Sequence, residues 1–229
     1  MIFRYVIMVC MVALLGCSTR LPTFRYRLTV EIETPARLRT GSSVIEVRTV
    51  DRGRGFPGPE AGGIRHGVVG DAIYLKLPDG RYIFAILQDN GPNPTNFPSA
   101  APFWAFDNQL PADRSNYHQV HRALTQAEGK AVLLPEHYPA FVMFENIMQP
   151  QTVQSVSPDN FKNELGVELR SVTVEITDDP VEDDIASILP WATPQKMKTM
   201  LDGSRIRNSS ELANEISLRS FRLYDPEKL

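Results

Sequence analysis

One run of strict alternation, Phe24–Glu33, constrains this chain more than anything else in it. Phe24, Tyr26, Leu28, Val30 and Ile32 fall on one side, and Arg25, Arg27, Thr29, Glu31 and Glu33 on the other. Successive side chains of a strand point to opposite faces, so this pattern describes a strand with one face in a core and one in water. Residues 44–50 offer a second strand, with Ile45 and Val47 on the apolar side. Residues 72–77 and 82–87 flank Pro78-Asp79-Gly80-Arg81, a hairpin signal in which proline fixes φ and glycine supplies a left-handed position. Residues 131–134 and 140–144 are shorter strand candidates. Val172, Val174 and Ile176 alternate again, while Val167 and Leu169 have the opposite parity, which predicts a bulge near Arg170-Ser171. Thr29-Val30-Glu31-Ile32 recurs as Thr173-Val174-Glu175-Ile176. Two similar amphipathic strands explain this echo better than a duplicated unit, because nothing around them repeats.

Helical signals are fewer. Residues 114–127 place Tyr117, Val120, Leu124 and Ala127 at helical spacing, with Gly129 as a stop. Ser157-Pro158 opens a short helix that Gly166 closes, and Thr193-Pro194 opens another that Gly203 closes. Residues 209–221 read as helical. The expected fold class is α+β: a mainly antiparallel sheet or sandwich with a few short helices, and a more helical C-terminal part from about 180. Asp178-Asp179-Pro180 is the best internal boundary, and residues 24–229 read as a single β-rich domain.

The apolar fraction of 42% and charged fraction of 22% argue against wholesale disorder. The 18 prolines exceed the usual share of about 5%, which favours turns and short elements. A net charge of −3 does not favour nucleic acid, whose phosphates need a basic surface.

Residues 1–16 read MIFRYVIMVCMVALLG. Arg4 gives a short basic start, and residues 6–15 form an apolar run of signal-peptide length, too short to span a bilayer as a mature helix. Leu14-Leu15-Gly16-Cys17 follows, and here the sequence resembles the lipobox of bacterial lipoprotein precursors. The resemblance covers the leader alone. It implies cleavage before Cys17, a diacylglyceryl group on its sulfur and acylation of the new amine. Several acyl chains at one residue anchor stably, each buried CH₂ contributing about 0.8 kcal/mol. Ser18 in place of an aspartate implies sorting to the outer membrane, facing the periplasm, if the source is Gram-negative. Cys10 lies within the leader, so the mature chain would have no intramolecular disulfide. Residues 17–23 would form a lipidated tether, short enough to hold the body near the membrane. Arg20, Arg25, Arg27, Arg37 and Arg39 cluster early, and are expected either to face anionic headgroups or to form a solvated strand face.

No motif names a reaction, and neither a catalytic residue, a metal nor a cofactor is expected. His118 and His121, three apart on the expected helix, can face one metal, but no further ligand stands at a recognisable spacing, so a hydrogen-bonded pair is preferred. His66 and His137 sit in loops, outside any motif. Gly41-Ser42-Ser43 lacks the turn of a hydrolase nucleophile and reads as a turn opening the residue-44 strand. Residues 51–70 are glycine-rich with interspersed arginines but lack the ending of a phosphate loop, and read as a loop between strands. Asp178-Asp179 and Glu182-Asp183-Asp184 do not match a calcium loop, and suit a helix start.

Residues 90–111 are the most informative stretch of the body. They read as a long connection, rich in proline and asparagine, carrying Phe97, Phe103, Trp104 and Phe106. Long irregular connections are often functional, and these rings are the candidate partner-binding residues. The alternative, that they fold back to cover one end of the sheet, is preferred. The expected function is a membrane-anchored envelope lipoprotein that is a non-catalytic interaction or structural module, with an envelope protein as partner. The alternative is a membrane-tethered hydrolase acting on cell-envelope material, which would need Ser42 or Ser43 beside a histidine and a carboxylate.

Overall fold

A computed structural model describes residues 18–53, 62–91, 94–182, 184–194 and 198–224. Its strands form two antiparallel sheets. The larger holds β1 (Thr19–Arg20), β2 (Phe24–Glu33), β3 (Leu38–Asp51), β4 (Ile64–Asp71), β7 (Lys130–Val132), β10 (Glu168–Thr177) and β11 (Arg222–Leu223). Their order is β11-β4-β3-β2-β10-β7, and β1 also pairs with β3. The smaller runs β5-β6-β8-β9, from Ile73–Lys76, Tyr82–Ala85, Phe141–Phe144 and Val153–Val156. Among the described residues there are four short α-helices, α1 (Phe97–Ala105), α2 (Tyr117–Thr125), α3 (Ile185–Ile188) and α4 (Leu212–Glu215), together with 3₁₀ and π turns. The architecture is α+β and mainly antiparallel sheet.

The alternation of β2 decides which face is inside. Tyr26, Leu28, Val30 and Ile32 are at most 1% exposed. The register pairs them with β3 as Phe24 with Val47, Tyr26 with Ile45, Leu28 with Ser43, Val30 with Gly41 and Ile32 with Arg39. Directly opposed residues share a face, so Gly41 and Ser43 lie on the inner face. There β5 comes down on them. A Cβ on Gly41 would sit 2.8 Å from Ile73 Cγ2 and 2.9 Å from the Tyr74 carbonyl oxygen. Gly41, Ser42 and Ser43 are therefore mid-strand, not the expected turn: small residues there admit the second sheet.

The echoed tetrapeptides are neighbours. β2 and β10 pair with Thr29 opposite Thr173, Leu28 opposite Val174 and Val30 opposite Val172. Adjacent strands meeting the same core and the same solvent require the same alternation. The pairing slips between Leu169 and Ser171, at the expected bulge. The outer face is laced with opposite charges. Glu46 accepts from Arg25 Nε at 2.7 Å and from Arg48 Nε at 2.8 Å, and Arg27 pairs with Asp179 at 2.7 Å. Burial raises the Glu46 pKa, but the two guanidinium hydrogen bonds outweigh it and hold the carboxyl below its usual range.

α1 replaces the long irregular connection expected over residues 90–111. Pro98 occupies its first turn, where a missing N–H costs nothing. Pro102, four residues on, cannot donate to the Pro98 carbonyl. The Tyr26 hydroxyl does so instead, at 2.7 Å, and ties the helix to β2 across the inner face. Residues 64–70 of the loop expected over 51–70 belong to β4, and residues 54–61 lie outside the described set.

The other helix expectations came out unevenly. α2 begins three residues after Arg114, capped by Asn116, whose side chain accepts from the Gln119 N–H. Residues 158–165 form one 3₁₀ turn and one π turn, and Gly166 closes them at φ +67°. Of the helix expected from Thr193 to Gly203, Pro194 is in a 3₁₀ conformation, residues 195–197 lie outside the described residues, and residues 198–203 carry turns and a bridge from Met200 to Ser217. Residues 209–221 hold only α4 and a 3₁₀ turn, Leu218–Ser220. Asn214 of α4 is buried and holds the segment before the helix. Its carbonyl accepts from the N–H of Asn208 and Ser209, and its amide donates to Asp202, Ser204 and Ile206. One side chain thus ties the loop of residues 202–209 to the start of α4.

A single cluster of buried apolar residues takes in both sheets and the C-terminal part. Trp191 and Phe221 meet edge to face at 5.6 Å, and both touch Phe144 of β8.

Candidate functional site

Trp104 is on the last turn of α1, half-buried. Its indole lies flat on the imidazole of His137, with centroids 4.5 Å apart and planes 11° from parallel. His137 ends a 3₁₀ turn, Pro135–His137, which Pro135 opens with a preset φ. Behind the indole stands Phe97, 6.4 Å away and fully buried. The ring is thus held from two elements while part of its surface stays in water. No acceptor among the described residues takes the indole N–H. The neighbours of His137 in the chain line a cleft of about 310 Å³, where Tyr138, Pro135, Pro139 and Pro158 supply apolar walls and Glu136 and Asp159 carboxylates. Burial pushes the Tyr138 phenol above its usual range. An aromatic platform beside a proline-lined cleft with free polar groups can take up an extended peptide segment.

The four candidate rings divide into two pairs. Phe97 and Phe106 are fully buried and belong to the core, the preferred fold-back alternative, so neither is available to a partner. Their side chains point down from α1 onto the sheet. Phe103 is half-buried against Tyr117 at 5.9 Å, and Trp104 alone has a stacked partner at the surface. His137 and the Tyr138 cleft carry no motif; only the tertiary fold brings them to Trp104. The lipid-attachment candidate, Cys17, lies outside the described residues.

The other histidines gather at the far end of β3. His118 Nε2 is 2.7 Å from Asp51, and that bond, with the Gly53 N–H, holds the Asp51 carboxyl below its usual range. His66 Nδ1 is 3.1 Å from the Thr49 hydroxyl, and burial lowers its imidazole pKa. His121 turns inward, fully buried, its ring edge-on to Phe24 at 5.5 Å. Neither nitrogen has a hydrogen-bond partner among the described residues. Burial, helped by the charges of His66 and His118, pushes its pKa down to about 4, so it is neutral at pH 7. His118 and His121 therefore do not face one point, and among the described residues no three His, Cys, Asp or Glu side chains converge on a metal.

Ser42 accepts a hydrogen bond from Arg27, and the Ser43 hydroxyl is buried without a partner among the described residues. Neither bonds to a histidine. Three carboxylates of the acidic cluster are engaged by the fold: Asp179 and Glu182 pair with Arg27, and Asp184 accepts from the Tyr74 hydroxyl, while Asp183 lies outside the described residues. Arg25 and Arg27 are tied to carboxylates and Arg39 donates to the Lys76 carbonyl, so these three of the five early arginines are engaged with the fold. Among the described residues, no helix is long and apolar enough to cross a membrane.

Comparison with known protein families, curated proteins and solved structures finds no match to this chain.

Proposed function

We propose that this chain is a bacterial envelope lipoprotein, anchored through Cys17, whose body binds another envelope protein through the surface around Trp104. The leader and lipobox of residues 1–17 support the anchor. The stacked Trp104–His137 pair carries the binding reading: a large ring, fixed from both sides and left part-exposed with an unused N–H, has little entropy to lose on meeting a partner. The position of β1 supports a body lying close to the membrane. Thr19 and Arg20 already pair with Asp51 and Val50, and Leu21 is buried, so the expected tether of residues 17–23 shortens to Cys17 and Ser18. The end of the sheet bearing Asp51 would then face the lipid. Cross-linking in intact cells tests the binding reading: wild-type chain should yield a discrete adduct that Trp104→Ala loses. An adduct of equal yield from the variant, with its fold intact, would defeat it.

A further inference from the structure

A separate cavity of about 320 Å³ opens beside His66, between β4 and the C-terminal 3₁₀ turn. Val68, Leu87 and Leu223 give it an apolar floor. Its polar lining is His66, Ser217, Arg219 and Ser220, with no carboxylate among the described residues. The turn is fixed in place, because the Leu87 N–H donates to the Ser220 carbonyl at 2.7 Å and the Ser220 hydroxyl to Gln88 at 2.7 Å.

The state of each polar group indicates what is wanted. Arg219 is exposed and makes no ion pair or hydrogen bond among the described residues. The Ser217 hydroxyl likewise has none. His66 has Nδ1 engaged by Thr49, which leaves Nε2 as the nitrogen it can offer. Asp71, the acid on β4, is occupied by Arg222 at 3.5 Å and by the Ile185 N–H at 3.2 Å, so it does not neutralise the cavity. One unpaired guanidinium, one unused hydroxyl and one imidazole nitrogen surround an apolar floor. Small-molecule sites have this form: mostly apolar walls with a few polar groups that fix orientation.

We propose that this cavity binds a small organic carboxylate bearing a short aliphatic chain, its carboxylate on Arg219 and Ser217 and its chain over Val68, Leu87 and Leu223. Guanidinium and carboxylate match in shape as well as charge. At roughly 30 Å³ per non-hydrogen atom, the space suits about ten such atoms. Affinity for so small a ligand would be on the order of millimolar.

The test uses the full-length protein, with NMR of its histidine ring signals as the readout. Hexanoate should shift the His66 signals in a saturable way and leave those of His137 still. Butyrate should bind more weakly, and hexanol, lacking the charge, at least about tenfold more weakly. Arg219→Gln, an exposed change with no hydrogen bond or ion pair among the described residues to lose, should weaken hexanoate at least about tenfold at unchanged melting temperature. No saturable shift, or equal binding by Arg219→Gln or by hexanol, would overturn the proposal. Inorganic phosphate binding as well as hexanoate would also overturn it, since the apolar floor would then contribute nothing.

Discussion

The Tyr26 hydroxyl donates to the Pro98 carbonyl at 2.7 Å because Pro102, the residue that would serve that carbonyl in an unbroken helix, has no N–H to give. A strand side chain thus completes a helix. Tyr26→Phe should cost about 1–3 kcal/mol, the penalty of leaving a buried carbonyl unsatisfied. Pro102→Ala restores the missing donor. In a double-mutant cycle read by urea unfolding, the Tyr26→Phe cost should shrink when Pro102 is already alanine. An unchanged cost would mean that the hydroxyl and the proline are not coupled.

Gly41 and Gly67 are both strand glycines and should behave differently. Gly41→Ala puts a methyl 2.8 Å from Ile73 Cγ2 and 2.9 Å from the backbone oxygen of Tyr74, and backbone cannot step aside cheaply. It should destabilise by about 1–3 kcal/mol. At Gly67 the nearest atom to a new Cβ is 3.9 Å away, ordinary contact, so Gly67→Ala should be neutral or mildly stabilising. Thermal melts of the two variants provide the comparison, and equal losses would contradict this account of the sheet contact.

His121 ties stability to pH. Its folded pKa is pushed down to about 4 from an ordinary 6.5. Between those values the unfolded chain binds a proton that the folded one refuses, so the neutral ring's contribution is complete above about pH 6.5 and is lost as pH falls toward 4. The loss should reach about 3 kcal/mol. Asp71 works the other way. Burial raises its carboxyl to about 6, so on acidification it protonates first in the folded state and partly offsets the histidine. The informative quantity is the difference between wild type and His121→Leu: the variant should lose less stability from pH 7.5 to 4.5. Parallel pH profiles would show that His121 is not the titrating group.

What was legible in the sequence follows from what period-2 alternation reports. β2, β10 with its bulge, and the β5–β6 hairpin were readable because each meets core on one face and water on the other, or is joined by a turn that demands glycine. Residues 41–43 were not, since small side chains look like a turn when the second sheet that requires them is unknown. α1 was hidden by Pro98 and Pro102, which signal a loop unless Tyr26 is known to supply the missing bond. The loop of residues 202–209 that Asn214 holds was hidden for the same reason: the five partners of Asn214 are brought together only by folding. Of the candidate site, Trp104 was named from sequence, but its exposure relative to Phe97 and Phe106 depends on which side of α1 faces β10, and His137 is remote in sequence.

The anchor has its own direct measurement. Cells fed labelled palmitate should incorporate it into the wild-type chain and not into Cys17→Ala, which should accumulate as precursor or in soluble form. A wild-type chain that stays unlabelled would remove the lipoprotein reading without touching the binding role proposed for Trp104.

Comparing the two tryptophans separates packing from recognition. Trp191 is buried, donates its N–H to the Ile147 carbonyl at 2.7 Å and packs on Phe144 and Phe221. Trp191→Ala should therefore cost about 3–5 kcal/mol of stability. Trp104 keeps part of its ring in water, so Trp104→Ala should cost less, about 1–2 kcal/mol for the contacts with His137 and Phe97. Its larger effect should be on partner capture, where an interface tryptophan contributes 2 kcal/mol or more and its loss weakens binding roughly thirtyfold. Melting and capture measured on the same two variants give opposite rankings if the proposed function holds: Trp191→Ala the larger thermal loss, Trp104→Ala the larger loss of partner from protein that is still folded. If Trp104→Ala lowers the melting temperature as much as Trp191→Ala and captures partner as well as wild type, the indole is a packing residue and the partner docks elsewhere.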